Sequence, residues 1–232
     1  MIEEPTDSTG GWLRPAVFGA MDGLVSNFSL IMGVAGGTAA ASAGSEPIIL
    51  AGLAGLAAGA FSMAAGEYTS VASQAEYSQS LVEFERAQII EDQEGEQEQL
   101  AGFFVNKGID IDASRAAAAQ IHDNLDDAVR VHSLEEYGVD MENLPSPTVA
   151  ALSSFVAFAV GAVLPIMPYL VGVDVPLPSI IISLVALFGC GAIVTAVTNR
   201  PWWYGGTRQL LLGGIAALVT YWVGVAVGST AF

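Results

Sequence analysis

Five stretches of the chain read as nearly continuous apolar runs, and one long polar block separates the second from the third. A hydrocarbon core of about 30 Å takes roughly 20 residues of helix, because nothing in lipid pairs with open backbone groups. The runs at 15–41, 47–73, 147–171, 177–198 and 207–231 meet that length, and several start at or near a proline, which suits a first helical turn. The polar block also predicts helix. No glycine or proline falls between 73 and Gly95, so span two is expected to run on as one long helix to about residue 100. Two shorter helices follow, one capped by Asp112 and one from about 126 to 137 that ends at Gly138. The expected fold is an all-α integral membrane protein with five transmembrane helices and a cytoplasmic helical insert between helices two and three. Its divisions are 1–75, 76–146 and 147–232.

Composition agrees with a bilayer as solvent. With 53% hydrophobic and only 13% charged residues, the chain carries too much apolar surface for one soluble core. Of its 24 acidic residues, 17 lie between Glu76 and Glu142, against four basic ones there. A net charge of -17 with a single lysine, Lys107, leads us to expect a halophilic source, where acidic surfaces stay hydrated in high salt. Exposed carboxylates therefore have a reason to exist without any ligand. Cys190, the one cysteine, sits in an apolar run and reads as a small buried hydrophobe. The first twelve residues lack a basic region followed by an apolar one, so no cleavable signal peptide is expected.

The seven basic residues give an orientation. Arg14 precedes span one, Arg86, Lys107, Arg115 and Arg130 lie between spans two and three, Arg200 lies between spans four and five, and Arg208 stands at the start of span five. All fall on one side if the N-terminus and insert are cytoplasmic and the C-terminus is outside a cell membrane. Trp202, Trp203 and Tyr204 beside Arg200 suit the headgroup level. Glycines four apart, Gly33/Gly37, Gly55/Gly59 and Gly224/Gly228, allow close helix approach, within one chain or in a homo-oligomer.

Two ionisable residues stand inside the spans, Asp22 in GAMDGLVSNFSL and Glu67 in FSMAAGEYTSV. An intramembrane acid costs on the order of 2.5–3.5 kcal/mol even on lenient insertion scales, which makes function its default reading. Asp22, Ser26 and Ser29 share a helical face, as do Met63, Glu67 and Ser70. Carboxylate oxygens suit divalent cations and a thioether favours the softer transition metals, so Asp22, Met63 and Glu67 together would prefer Fe2+ or Mn2+. The alternative is that both acids, about two turns from their helix ends, reach the interface.

In the insert, Glu85, Glu96, Glu136 and the group Glu91, Asp92, Glu94 and Glu98 form a cation cluster if the helices fold together, with His122 and His132 as nitrogen ligands. A solvated acidic face accounts for the same residues.

The strings DGLVSNFSLIMGVAGG in span one and AGLAGLAAGAFSMAAGEYTSVASQAE in span two, the acidic insert, and the return SPTVAALSSFVAFAVGAVLPIMPYL resemble the vacuolar iron transporter family from Phe18 onward. The resemblance implies a homodimer that exchanges Fe2+ or Mn2+ for protons, with Asp22 and Met63 lining the cation path. It also implies insert metal ligands at Glu85, Gln88, Glu96, Gln99 and Glu136, two of which are glutamine here. Some members carry a second-span glutamate where this chain has Gly55, and a methionine pair where it has His132 and Ser133. Glu67 belongs to the GE-aromatic motif of the nodulin-like branch, so features of two branches are mixed.

The function expected is therefore a proton-coupled antiporter exporting Fe2+, with Mn2+ second. The alternative is a membrane-anchored metal-binding or sensing protein without transport. No nucleophile–base pair, phosphate-binding glycine loop or cysteine–histidine zinc pattern suggests an enzyme or a resident cofactor. The negative insert argues against nucleic acid as a partner. The partners expected are lipid, divalent metal, protons and a second copy of the chain.

Overall fold

The computed structural model describes residues 11–41, 44–197 and 200–231. The tail at 1–10, where no signal peptide was expected, residues 42–43 and the end of the predicted fourth span at Thr198 lie outside the described residues. Eight helices and no strand occur among those described: α1 (Leu13–Ala41), α2 (Glu46–Glu91), α3 (Gln93–Asn106), α4 (Ile111–His122), α5 (Leu125–Tyr137), α6 (Pro147–Leu170), α7 (Pro176–Val197) and α8 (Trp202–Ala231). Of these, α1, α2, α6, α7 and α8 are long and apolar enough to cross a membrane. The chain divides into two compact units, one of Met1–Thr69 with Pro147–Phe232 and one of Ser70–Ser146, so the dividing point falls within α2.

In the first unit α1 packs against α6, α7 and α8. Lipid supplies no hydrophobic drive between helices, so close backbone approach has to hold them. Small residues provide it. A Cβ on Gly23 would collide with the Phe158 carbonyl, and one on Gly161 with that of Ala20, which seats α1 on α6. Gly33 and Gly37 meet Gly224 and Gly228 backbone to backbone, so two of the three glycine pairs serve contacts between α1 and α8 of the same chain. Thr220 Oγ1 donates to the Ser29 carbonyl at 2.7 Å across this junction.

Helix α2 is spaced differently. The Phe158 ring and the Leu30 side chain stand where Cβ atoms of Gly59 and Gly55 would be. Its other contacts are side-chain ones, with Ile48 packing among Ile31, Ile166 and Tyr169, and Ala60 with Phe158 and Ala162. The glycines of α2 thus admit side chains, where those of α1 admit backbone.

The second unit joins the end of α2 to α3, α4 and α5 around Ile89, Leu100, Ala101, Ala118, Ala128 and Val129, with Ile121 touching both of its apolar clusters. The long helix does run on past the apolar span, but it stops at Glu91. Asp92 breaks it because its carboxylate accepts from the Gly95 amide at 3.0 Å and caps a separate helix, α3. The cap of α4 is Asp110, not Asp112. Asp110 accepts from the amides of Asp112 and Ala113, which places Asp112 in the first turn. Helix α5 ends at Gly138 with φ 67°, the left-handed conformation that glycine adopts without cost.

Candidate metal centres

Asp22 and Met63 line one cavity of about 190 Å³, together with Ser26, Asn27, Ser62 and an apolar wall that includes Leu30 and Phe158. Water takes roughly 30 Å³ per molecule in the liquid, so a cation with part of its hydration shell fits. Gly55 and Gly59 are also on its lining, where they let Leu30 and Phe158 approach α2. Asp22 is half-buried and accepts a 3.0 Å hydrogen bond from Ser26, the pairing their spacing implies. Ser29 is buried and lines a different concavity, with Gly33 and Thr220. Glu67 is half-buried and shares a third lining with Arg14, Val17 and Phe18, not the Asp22 cavity.

In the insert unit, three helices bring acids and histidine together. His132 Nδ1 on α5 lies 2.9 Å from Glu85 Oε1 on α2 and 3.7 Å from Glu96 Oε2 on α3. Ligand atoms of Glu85, His132 and Glu136 all fall within 4.8 Å of one another. Two ligands at about 2.0–2.2 Å from one first-row cation are at most about 4.4 Å apart, so a small inward shift of these side chains would bring them round one ion. Glu85 Oε1, Glu96 Oε2 and both ring nitrogens of His132 are buried without a hydrogen-bond partner. Tyr137 donates to the other oxygen of Glu85 at 3.1 Å, and Gln99 Nε2 donates to Glu136 at 3.1 Å.

A family model described as the VIT family matches residues 13–225. The chain belongs to the VIT family. It is 34% identical to the vacuolar iron transporter of Acanthamoeba castellanii over 97% of this chain and 78% of that protein. It is 36% identical to vacuolar iron transporter homolog 2 of Oryza sativa subsp. japonica over 90% of this chain and 87% of that one. It is 31% identical to vacuolar iron transporter homolog 1 of Arabidopsis thaliana over 94% and 84%. Membership in the VIT family sets the chain among transporters rather than enzymes.

In this VIT family member, burial controls the charge of the insert cluster. Burial raises the Glu85 carboxyl above its ordinary 4.5, the Tyr137 hydrogen bond lowers it, and Glu136 and Glu96 raise it further. Burial likewise raises Glu96, aided by Glu136 and Asp92 and opposed by His122. His132 is pushed down to about 4 by burial and by His122. The 2.9 Å contact has the length of an ion pair, yet burial disfavours the charged form of both partners. A cation among them reverses this, because it favours the ionised carboxylates and the neutral imidazole.

The other expected ligands are placed as follows. Gln88 is half-buried one turn beyond Glu85 on the same face of α2. Gln99 is exposed and orients Glu136 through its amide. Glu91 and Glu94 are exposed, and Glu98 is engaged by Arg115 in a 2.6 Å ion pair. His122 is buried, with Nδ1 at 2.9 Å from the Ala118 carbonyl and its ring edge-on to His132. Tyr137, Asn27 and Ser62 did not emerge from the sequence. His132 was expected as a nitrogen ligand of the carboxylate cluster, and it stands beside Glu85 and Glu96, four residues before Glu136 on one face of α5.

Proposed function

We propose that this protein carries Fe2+, and Mn2+ second, across a membrane in exchange for protons. The observation that carries this reading is the shared cavity of Asp22 and Met63, a carboxylate and a thioether from two helices of a membrane unit. The names of its relatives support iron as the cargo. In this reading the N-terminus and insert are cytoplasmic and the C-terminus is outside, as the seven basic residues suggest, and the direction is export. The insert cluster of Glu85, Glu96, His132 and Glu136 collects metal, Gln88 and Gln99 stand around it, and the working unit is a homodimer in a cell membrane. Glu67, outside the Asp22 cavity, acts at the mouth of the path.

Asp22 couples the two ions. A carboxylate holds either a proton or a cation, so loading metal expels a proton and the opposing gradient restores it. The second reading, metal binding without transport, rests on the insert cluster alone. The test is Fe2+ uptake into inside-out vesicles with an imposed pH gradient. Wild type is expected to take up Fe2+ only with the gradient, and Asp22→Asn to lose that uptake. Equal gradient-driven uptake by both would remove Asp22 from the mechanism.

A further inference from the structure

One polar group in the Asp22 cavity has no partner. Asn27 is 2% exposed, and its Nδ2 donates a 2.5 Å hydrogen bond to the Ala162 carbonyl on α6. Only a donor can face a carbonyl, so this bond fixes the amide's orientation and turns Oδ1 the other way. Oδ1 is buried with no hydrogen-bond partner. It points toward α2, lying 3.1 Å from where a Cβ of Gly55 would sit, and both residues line the cavity that holds Asp22 and Met63. A buried amide oxygen left open is expensive unless something occupies it.

We propose that the side-chain oxygen of Asn27 is a ligand of the transported divalent cation, joining the Asp22 carboxylate and the Met63 thioether. The proposal rests on the transport reading above. Its chemistry is complementary to that of Asp22. An amide oxygen takes no proton in the working pH range, so it holds the cation whatever the proton occupancy of Asp22. Ala162 makes it a fixed ligand, since the same amide is tied through its nitrogen to a neighbouring helix. A hard neutral oxygen beside a carboxylate also suits Mn2+ and Fe2+ better than softer ions.

The test uses full-length protein in inside-out vesicles, with initial rates for Mn2+ and Cd2+ in wild type, Asn27→Leu, Asn27→Cys and Asp22→Asn. Asn27→Leu is expected to raise the KM for Mn2+ on the order of tenfold. Asn27→Cys replaces a hard ligand by a soft one, so it is expected to lose Mn2+ transport similarly while retaining Cd2+, raising the Cd2+/Mn2+ rate ratio about tenfold. An equal fall for both metals, or failure of both variants to assemble, would make Asn27 a helix anchor and overturn the proposal. Unchanged Mn2+ kinetics in Asn27→Leu with Asp22→Asn inactive would overturn it alone. Undiminished uptake by Asp22→Asn would overturn the cavity reading on which it rests.

Discussion

His132 Nδ1 lies 2.9 Å from Glu85 Oε1 at a place where both side chains are fully buried. Such a pair is costly when empty, and its pH dependence follows from the two directions of shift. Glu85 and Glu96 are raised, so their contribution to stability is present below the ordinary 4.5 and is lost as pH rises through their folded values. His132 is depressed to about 4, so its contribution is present above 6.5 and is lost as pH falls toward 4. As pH rises the metal-free insert therefore takes on the cost of charging its buried carboxylates. Metal binding is expected to release protons and to stabilise the insert more at pH 7.5 than at pH 5. Calorimetry of the full-length protein with Mn2+ in buffers of different ionisation enthalpy measures the release. Glu85→Gln is expected to weaken binding at least about tenfold and to reduce the number of protons released.

Gln99 donates to Glu136 at the rim of the same cluster. Gln99→Glu replaces that donor with a second carboxylate and adds one charge beside Glu136. Without metal the pair repels, and with metal the extra charge adds affinity. A several-fold gain in Mn2+ affinity is expected at pH 7.5, shrinking toward pH 5 as the added acid protonates; competition with a fluorescent chelator reads it. Equal affinity at both pH values would place residue 99 outside the field of the ion.

Gly161 and Gly66 separate the packing of α1 and α6 from helix propensity. A Cβ at Gly161 meets the Ala20 carbonyl, whereas one at Gly66 meets nothing within 4 Å. Gly161→Ala is expected to cost about 1–3 kcal/mol through forced backbone displacement, and Gly66→Ala to be neutral or mildly stabilising. Thermal melting in detergent compares them. Matching melting temperatures would mean that the glycine seam does not hold α1 on α6.

The five long helices were legible because a bilayer demands a run of apolar residues that nothing else in the sequence imitates. The insert's helices were legible to within a few residues, except where an aspartate side chain competed with the backbone. Asp92 splits one expected helix in two and Asp110 takes the cap expected of Asp112, and both decisions depend on side-chain hydrogen bonds that propensity does not contain. The Asp22–Met63 pairing followed from residue chemistry and the family resemblance. The place of Asn27 did not, because it follows from which carbonyl of α6 lies opposite, and that is set by the glycine seam rather than by any local pattern. His132 lay between these cases, legible as a nitrogen ligand by residue type, while its place against Glu85 and Glu96 depends on the folding of α5 against α2 and α3.

Anomalous diffraction from crystals of the full-length protein soaked in Mn2+ tests the central claim most directly. The account predicts a peak in the cavity between Asp22 and Met63, and a second among Glu85, Glu96 and His132. A peak in the insert alone, with none at Asp22 and Met63 at saturating Mn2+, would contradict it.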